Sequence, residues 1–137
     1  MIDKPQFFID GEWQTLNDRP TMDLVNPANE QVSGKLHLGN EDDVDRAVQA
    51  ARNAFPGFAA TPLNECIKLI QRVADNYKAR FDDIGTTISK EMGAPKKFAV
   101  RFQAGAGLSH FKQVLKIIET YDFEDEMNTT RVIREPI

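Results

Sequence analysis

Residues Glu41 to Phe55 read EDDVDRAVQAARNAF. Apolar side chains at Val44, Ala47, Val48, Ala51 and Phe55 recur at helical spacing and share one face. Asn40 suits the N-cap position, and Glu41, Asp42 and Asp43 put negative charge at the positive end of the helix dipole. Pro56-Gly57 is expected to stop the helix. Ala47, Ala50, Ala51 and Ala54 make a small face that another element can approach closely. A helix cannot bury such a face alone, so something else must cover it.

Upstream, Phe7, Phe8 and Ile9 are a β-prone run, Asp10-Gly11 is a strong hairpin turn signal, and Trp13 lies on the return arm. Leu16 to Met22 is polar, contains Pro20 and reads as a loop. Asp23-Leu24-Val25 is a short strand and Asn26-Pro27-Ala28-Asn29 a turn. Gln31 to Leu38 returns as a strand, with Gly34 as a candidate bulge.

Downstream, Thr61 is expected to cap a second helix with Pro62 at its first position. Leu63, Cys66, Ile67, Ile70, Val73, Ala74, Tyr77 and Phe81 form its apolar stripe. A third helix runs from Asp82-Asp83 to Met92, ended by Gly93 with Pro95 beyond. A fourth covers about Lys96 to Glu119, where Gly105 and Gly107 each cost about 1 kcal/mol relative to Ala and so imply close packing. The tail alternates at Tyr121 and Phe123, turns over Asp125 to Asn128 and returns as a strand over Thr129 to Glu135. That second hairpin has open edges, a liability unless it pairs with something.

Composition excludes several classes. The chain has 137 residues, 41% hydrophobic and 28% charged, which is ordinary for a globular domain. A net charge of −4 argues against nucleic acid or an anionic membrane as partner, and Lys96-Lys97 reads as a solvated helix start. No apolar run approaches the roughly 20 residues a membrane span needs, and no signal peptide is evident. A single cysteine fits a reducing compartment, so the expected location is cytoplasmic. Cys66 sits on an apolar stripe and reads as a buried core residue rather than a nucleophile. His37 and His110 lack metal-ligand spacing, and His110 reads as a structural residue. Gly105-Ala106-Gly107 lies inside a helix pattern and is a poor phosphate loop. No active site can be assembled from these residue types.

The order of pieces is nevertheless specific: FIDGEW (Phe8–Trp13), VNPANEQV (Val25–Val32), DVDRAVQAARNAF (Asp43–Phe55), NECIKLIQRVAD (Asn64–Asp75), ISKEMGAPK (Ile88–Lys96) and TTRVIREPI (Thr129–Ile137). Across about Phe7 to Ile137 the chain resembles the N-terminal portion of the NAD(P)-dependent aldehyde dehydrogenase superfamily. The resemblance implies an α/β fold of about four helices, an N-terminal β-hairpin and a C-terminal hairpin of oligomerisation type. It implies a division into 1–119, a helical and hairpin part of the cofactor-binding domain, and 120–137, the start of the oligomerisation strands. Expected partners are the remainder of the dehydrogenase subunit and further copies of it.

The implied reaction oxidises an aldehyde to a carboxylic acid with NAD or NADP. The family's nucleophilic cysteine, general base and cofactor loop lie downstream, so no catalytic or cofactor-binding residue is assigned here, and the isolated chain is expected to be inactive. Many relatives hold a monovalent cation between backbone carbonyls before the Asn-Pro turn and an acidic side chain ahead of Gly-x-Pro. The resemblance places these at Leu24, Val25 and Glu91. Two departures are Glu65-Cys66, where an arginine is common at the second position, and Ala94, where lysine is common. A second reading stands beside the first: a non-catalytic association module that pairs through its terminal hairpin.

Overall fold

A computed structural model describes residues 2–3 and 5–136. Strands β2 (Gln6–Ile9) and β3 (Glu12–Thr15) form an antiparallel hairpin. Asp10 and Gly11 both carry positive φ, 56° and 78°, as a two-residue turn matched to strand twist requires. Phe8 faces Trp13 across the ladder, with ring centroids 5.1 Å apart.

A separate sheet has three strands, with the last of them in sequence at its centre. β4 (Thr21–Asn26) and β5 (Gln31–His37) are antiparallel, and β1 (Ile2–Asp3) lies parallel to β5. β4 begins two residues ahead of the expected Asp23, because Thr21 pairs with His37 and the Leu38 N–H donates to the Pro20 carbonyl at 2.9 Å. Asn side chains build the connecting turn: Asn26 Oδ1 accepts from the Ala28 N–H at 2.9 Å and Asn29 Oδ1 from the Gln31 N–H at 3.1 Å. The bulge falls at Ser33, not at Gly34. Register jumps from Leu24–Gly34 to Val25–Val32, and Ser33 Oγ donates to the Leu24 carbonyl at 3.0 Å.

Helix α1 (Glu41–Ala59) runs through Pro56-Gly57 instead of stopping there. Proline removes one hydrogen bond, to the carbonyl of Arg52, which is exposed and can bind water, and the helix ends three residues later at Ala59. α2 (Leu63–Ala79) starts after Pro62, whose ψ of 144° keeps it outside the helix. Thr61 does not cap it; the Pro62 carbonyl accepts the N–H groups of Glu65 and Cys66 instead. α3 (Phe81–Met92) ends as expected on Gly93, φ 71°, whose N–H donates to the Ser89 carbonyl.

The expected fourth helix is interrupted. α4 (Lys96–Phe98) leads into a π-helical turn, Ala99–Ala104, and then α5 (Gly105–Ile118). Gly107 meets the expected close neighbour, Tyr77, whereas a Cβ on Gly105 would meet nothing within 4 Å. β6 (Glu124–Met127) and β7 (Thr130–Ile133) form the terminal hairpin. Asn128, φ 56°, puts the turn at Asn128-Thr129, later than Asp125–Asn128, because asparagine tolerates the left-handed region.

The core is small. Among the described residues the buried apolar side chains are Ile9, Leu16, Ala74, Ala99 and Ala104. α2 meets α5 through Tyr77, whose ring lies 5.7 Å from that of Phe111. α3 packs on the π-helical turn through Gly85. The stripe of α1 stays largely open, with Val44 60% and Phe58 63% exposed. Among the described residues the first hairpin touches this face through Phe8 and Ile9 but leaves most of it open. Among the described residues no helix is long and apolar enough to cross a membrane.

Candidate functional site

Chemistry-bearing groups gather in three places. The first is the start of α1. Asp43 is 3% exposed and is the buried charged residue among those described. Asn40 Oδ1 accepts from the Asp43 N–H and Asp43 Oδ2 from the Asn40 N–H, both at 3.0 Å, a reciprocal capping box. The same carboxylate takes the Arg46 guanidinium, one turn on, and that of Arg19 at 3.1 Å. Asp43's pKa is lowered, chiefly by the Asn40 N–H and then by Arg46 and Arg19; burial opposes them and loses.

This clasp ties the loop before β4 to the helix start. The Asn40 cap was legible from its place just ahead of the helix, whereas the return bond from the Asn40 N–H to Asp43 was not. Arg19, 24 residues away, carried no local signal.

A carboxylate held below its usual range contributes stability that is present above about pH 4 and lost as pH falls through the lowered value. Asp43→Asn is therefore expected to lower the melting temperature at neutral pH, with the gap from wild type closing below about pH 4. Thermal melts of both proteins between about pH 7 and about pH 3 test this. A gap that stays constant across that range would rule out the charge as the cause.

The second place is the corner where α3 meets β4. A Cβ on Gly93 would lie 2.8 Å from the Ala28 nitrogen, so the end of α3 abuts the turn after β4. The fold thereby brings the region of Glu91 to the same corner as the end of the strand carrying Leu24 and Val25. These two residues flank the register jump, where ladder pairing is broken, and Leu24 already accepts the Ser33 hydroxyl. Glu91 is exposed in the last turn of α3. No cluster of three His, Cys, Asp or Glu occurs among the described residues. Any cation here would rest on backbone oxygens and one carboxylate, a donor set for a hard ion.

The third place is an open groove of about 460 Å³ between α1, α2 and the terminal hairpin. Phe55, Phe58, Leu63, Ile118 and Phe123 line it, with Arg134 at the rim. Cys66 forms part of its wall. It is half-buried rather than a core residue as expected, because the α1 face beside it is open, and its Sγ lies 3.8 Å from the Thr61 carbonyl. Among the described residues the groove lining holds no histidine or carboxylate side chain that could take the thiol proton. His110 is exposed and His37 half-buried, and neither lines the groove. Lys96 and Lys97 are exposed, as a solvated helix start should be.

A family model described as the aldehyde dehydrogenase family matches residues 13–137. The chain belongs to the aldehyde dehydrogenase family. It is 41% identical over 137 residues to a 3-succinoylsemialdehyde-pyridine dehydrogenase of Pseudomonas sp., covering 99% of this chain and 29% of that protein. A putative aldehyde dehydrogenase of Staphylococcus aureus (strain bovine RF122 / ET3-1) is 37% identical, with coverage of 100% and 29%. Among solved structures, an aldehyde dehydrogenase of Bartonella henselae superposes with a TM-score of 0.89 at 28% identity, covering 95% of this chain and 28% of that one. A mutant aldehyde dehydrogenase C of Pseudomonas syringae, complexed with NAD+ and octanal, gives 0.84 at 32% identity, with coverage of 92% and 26%.

This aldehyde dehydrogenase chain thus spans less than a third of the length of these relatives. Its mixed helices and hairpins correspond to an N-terminal portion of the family's fold. Glu65, at one of the two departures from the common pattern, pairs locally with Lys68 at 2.8 Å, and both are exposed.

Proposed function

We propose that this chain is the helical and hairpin part of a subunit that oxidises an aldehyde to a carboxylic acid. The observation that carries this reading is the family match over residues 13–137, together with relatives more than three times as long. NAD(P)+ would supply the oxidising power by accepting hydride from the aldehyde. The chain's own residues contribute placement. The Asp43 clasp holds α1 on the loop before β4, and the Gly93 corner holds α3 on the turn after it. The open face of α1 is then available to the rest of the subunit.

In this reading residues 1–119 belong with the cofactor-binding domain. Residues 120–137 begin strands that pair with another copy, making a homo-oligomer. The backbone carbonyls of Leu24 and Val25 and the carboxylate of Glu91 would hold a monovalent cation at the corner between β4 and α3.

A second reading has its own support. Every residue of β6 and β7 is exposed except Val132, which is half-buried. A hairpin so open suits a module that acts only by pairing with other chains.

Turnover separates the two. The intact gene product, mixed with NAD+ or NADP+ and a panel of aldehydes, should reduce the cofactor, whereas the 137-residue chain alone should give no reduction above buffer. Steady turnover by the chain alone would contradict the division of labour. A silent intact product with an open frame lacking a later cysteine motif would favour the association module.

A further inference from the structure

The π-helical turn Ala99–Ala104 needs a cause, since its residues, AVRFQA, include neither glycine nor proline. Both its ends are buried, with Ala99 and Ala104 at 0% exposure. On one side it touches α3. A Cβ on Gly85 would come within 2.5 Å of Val100 Cγ2 and 2.7 Å of the Val100 Cα, so glycine there lets backbone approach backbone. On the other side it touches α2. The Tyr77 hydroxyl donates to the Ala104 carbonyl at 3.0 Å, and a Cβ on Gly107 would come within 2.5 Å of that same hydroxyl.

Val100 and Gly107 are seven residues apart, which in a regular α-helix places them on nearly one face. Here one meets α3 and the other meets α2. One residue added to the ladder turns everything after it by about 100°, enough to redirect the contact face. We propose that the π-helical turn is a phase shifter, locked by the Tyr77 hydroxyl, that lets one helix dock on α3 at its start and on α2 at its end. The extra residue is retained because the two docking surfaces require different rotational settings. Gly85 and Gly107 are the clearances that the two settings need.

Two variants of the intact gene product test this. Arg101 is an exposed residue of the turn, so deleting it restores regular spacing without removing buried surface. The expected result is a lower melting temperature and faster amide exchange in α5, even though the helix is now regular. A melting temperature equal to or above wild type would overturn the proposal. Tyr77→Phe keeps the ring and removes the hydroxyl. It should speed amide exchange over residues 99–108 by about fivefold to tenfold, the worth of one net hydrogen bond, and leave α1 unchanged. Exchange that rises equally in α1, or does not rise at all, would also overturn it. Should the deletion variant fail to fold, the Tyr77→Phe exchange pattern decides alone.

Discussion

Gly93→Ala is expected to destabilise the protein by about 2 to 3 kcal/mol. Two penalties act together. The φ of 71° is left-handed, which costs a residue with a Cβ roughly 1–2 kcal/mol. The new methyl would also sit 2.8 Å from the Ala28 nitrogen and 3.3 Å from the Pro27 carbonyl carbon. Those are backbone atoms and cannot swing aside, so the overpacking should add about 1–3 kcal/mol. The stiffer unfolded chain returns only about 0.4–1 kcal/mol, so the penalties win.

Gly57→Ala is the control. Gly57 lies within α1 and nothing would meet its Cβ within 4 Å, so alanine there should be neutral or stabilising by up to about 1 kcal/mol. Equilibrium unfolding of the two variants beside wild type makes the comparison. If Gly93→Ala unfolds with wild type, the α3–β4 corner is not the close contact described.

The second large effect concerns Phe58. Its side chain is 63% exposed, so Phe58→Ala should change the stability of the 137-residue chain by no more than about 0.5 kcal/mol. In the intact gene product that face is proposed to be covered. There the same substitution should cost about 3–5 kcal/mol, as for a truncated core phenylalanine. A hydrophobic dye should report the same asymmetry, binding the short chain strongly and the intact product weakly. Equal small costs in both proteins would mean that the α1 face is a true surface, and the incomplete-subunit reading would fail.

Local chemistry was legible. Asp10-Gly11, Asn40 and Gly93 each solve a problem within a few residues of themselves, a turn, a cap and a helix end. The long-range pieces were not. Arg19 reaches Asp43 across 24 residues, and the π-helical turn answers to Gly85 and Tyr77 on other helices. The Ser33 bulge likewise depends on the strand it faces. Pro56 does not end α1, because a proline near an exposed helix end costs too little to enforce a stop.

The sequence by itself determined the element types, most of their ends and the family, because periodicity, caps and ordered motifs are properties of neighbours along the chain. Only the tertiary structure decided where Arg19 and Val100 go, and that α1 keeps its apolar face open. Those depend on which distant surfaces meet, and desolvation and close packing act between surfaces that no local window contains.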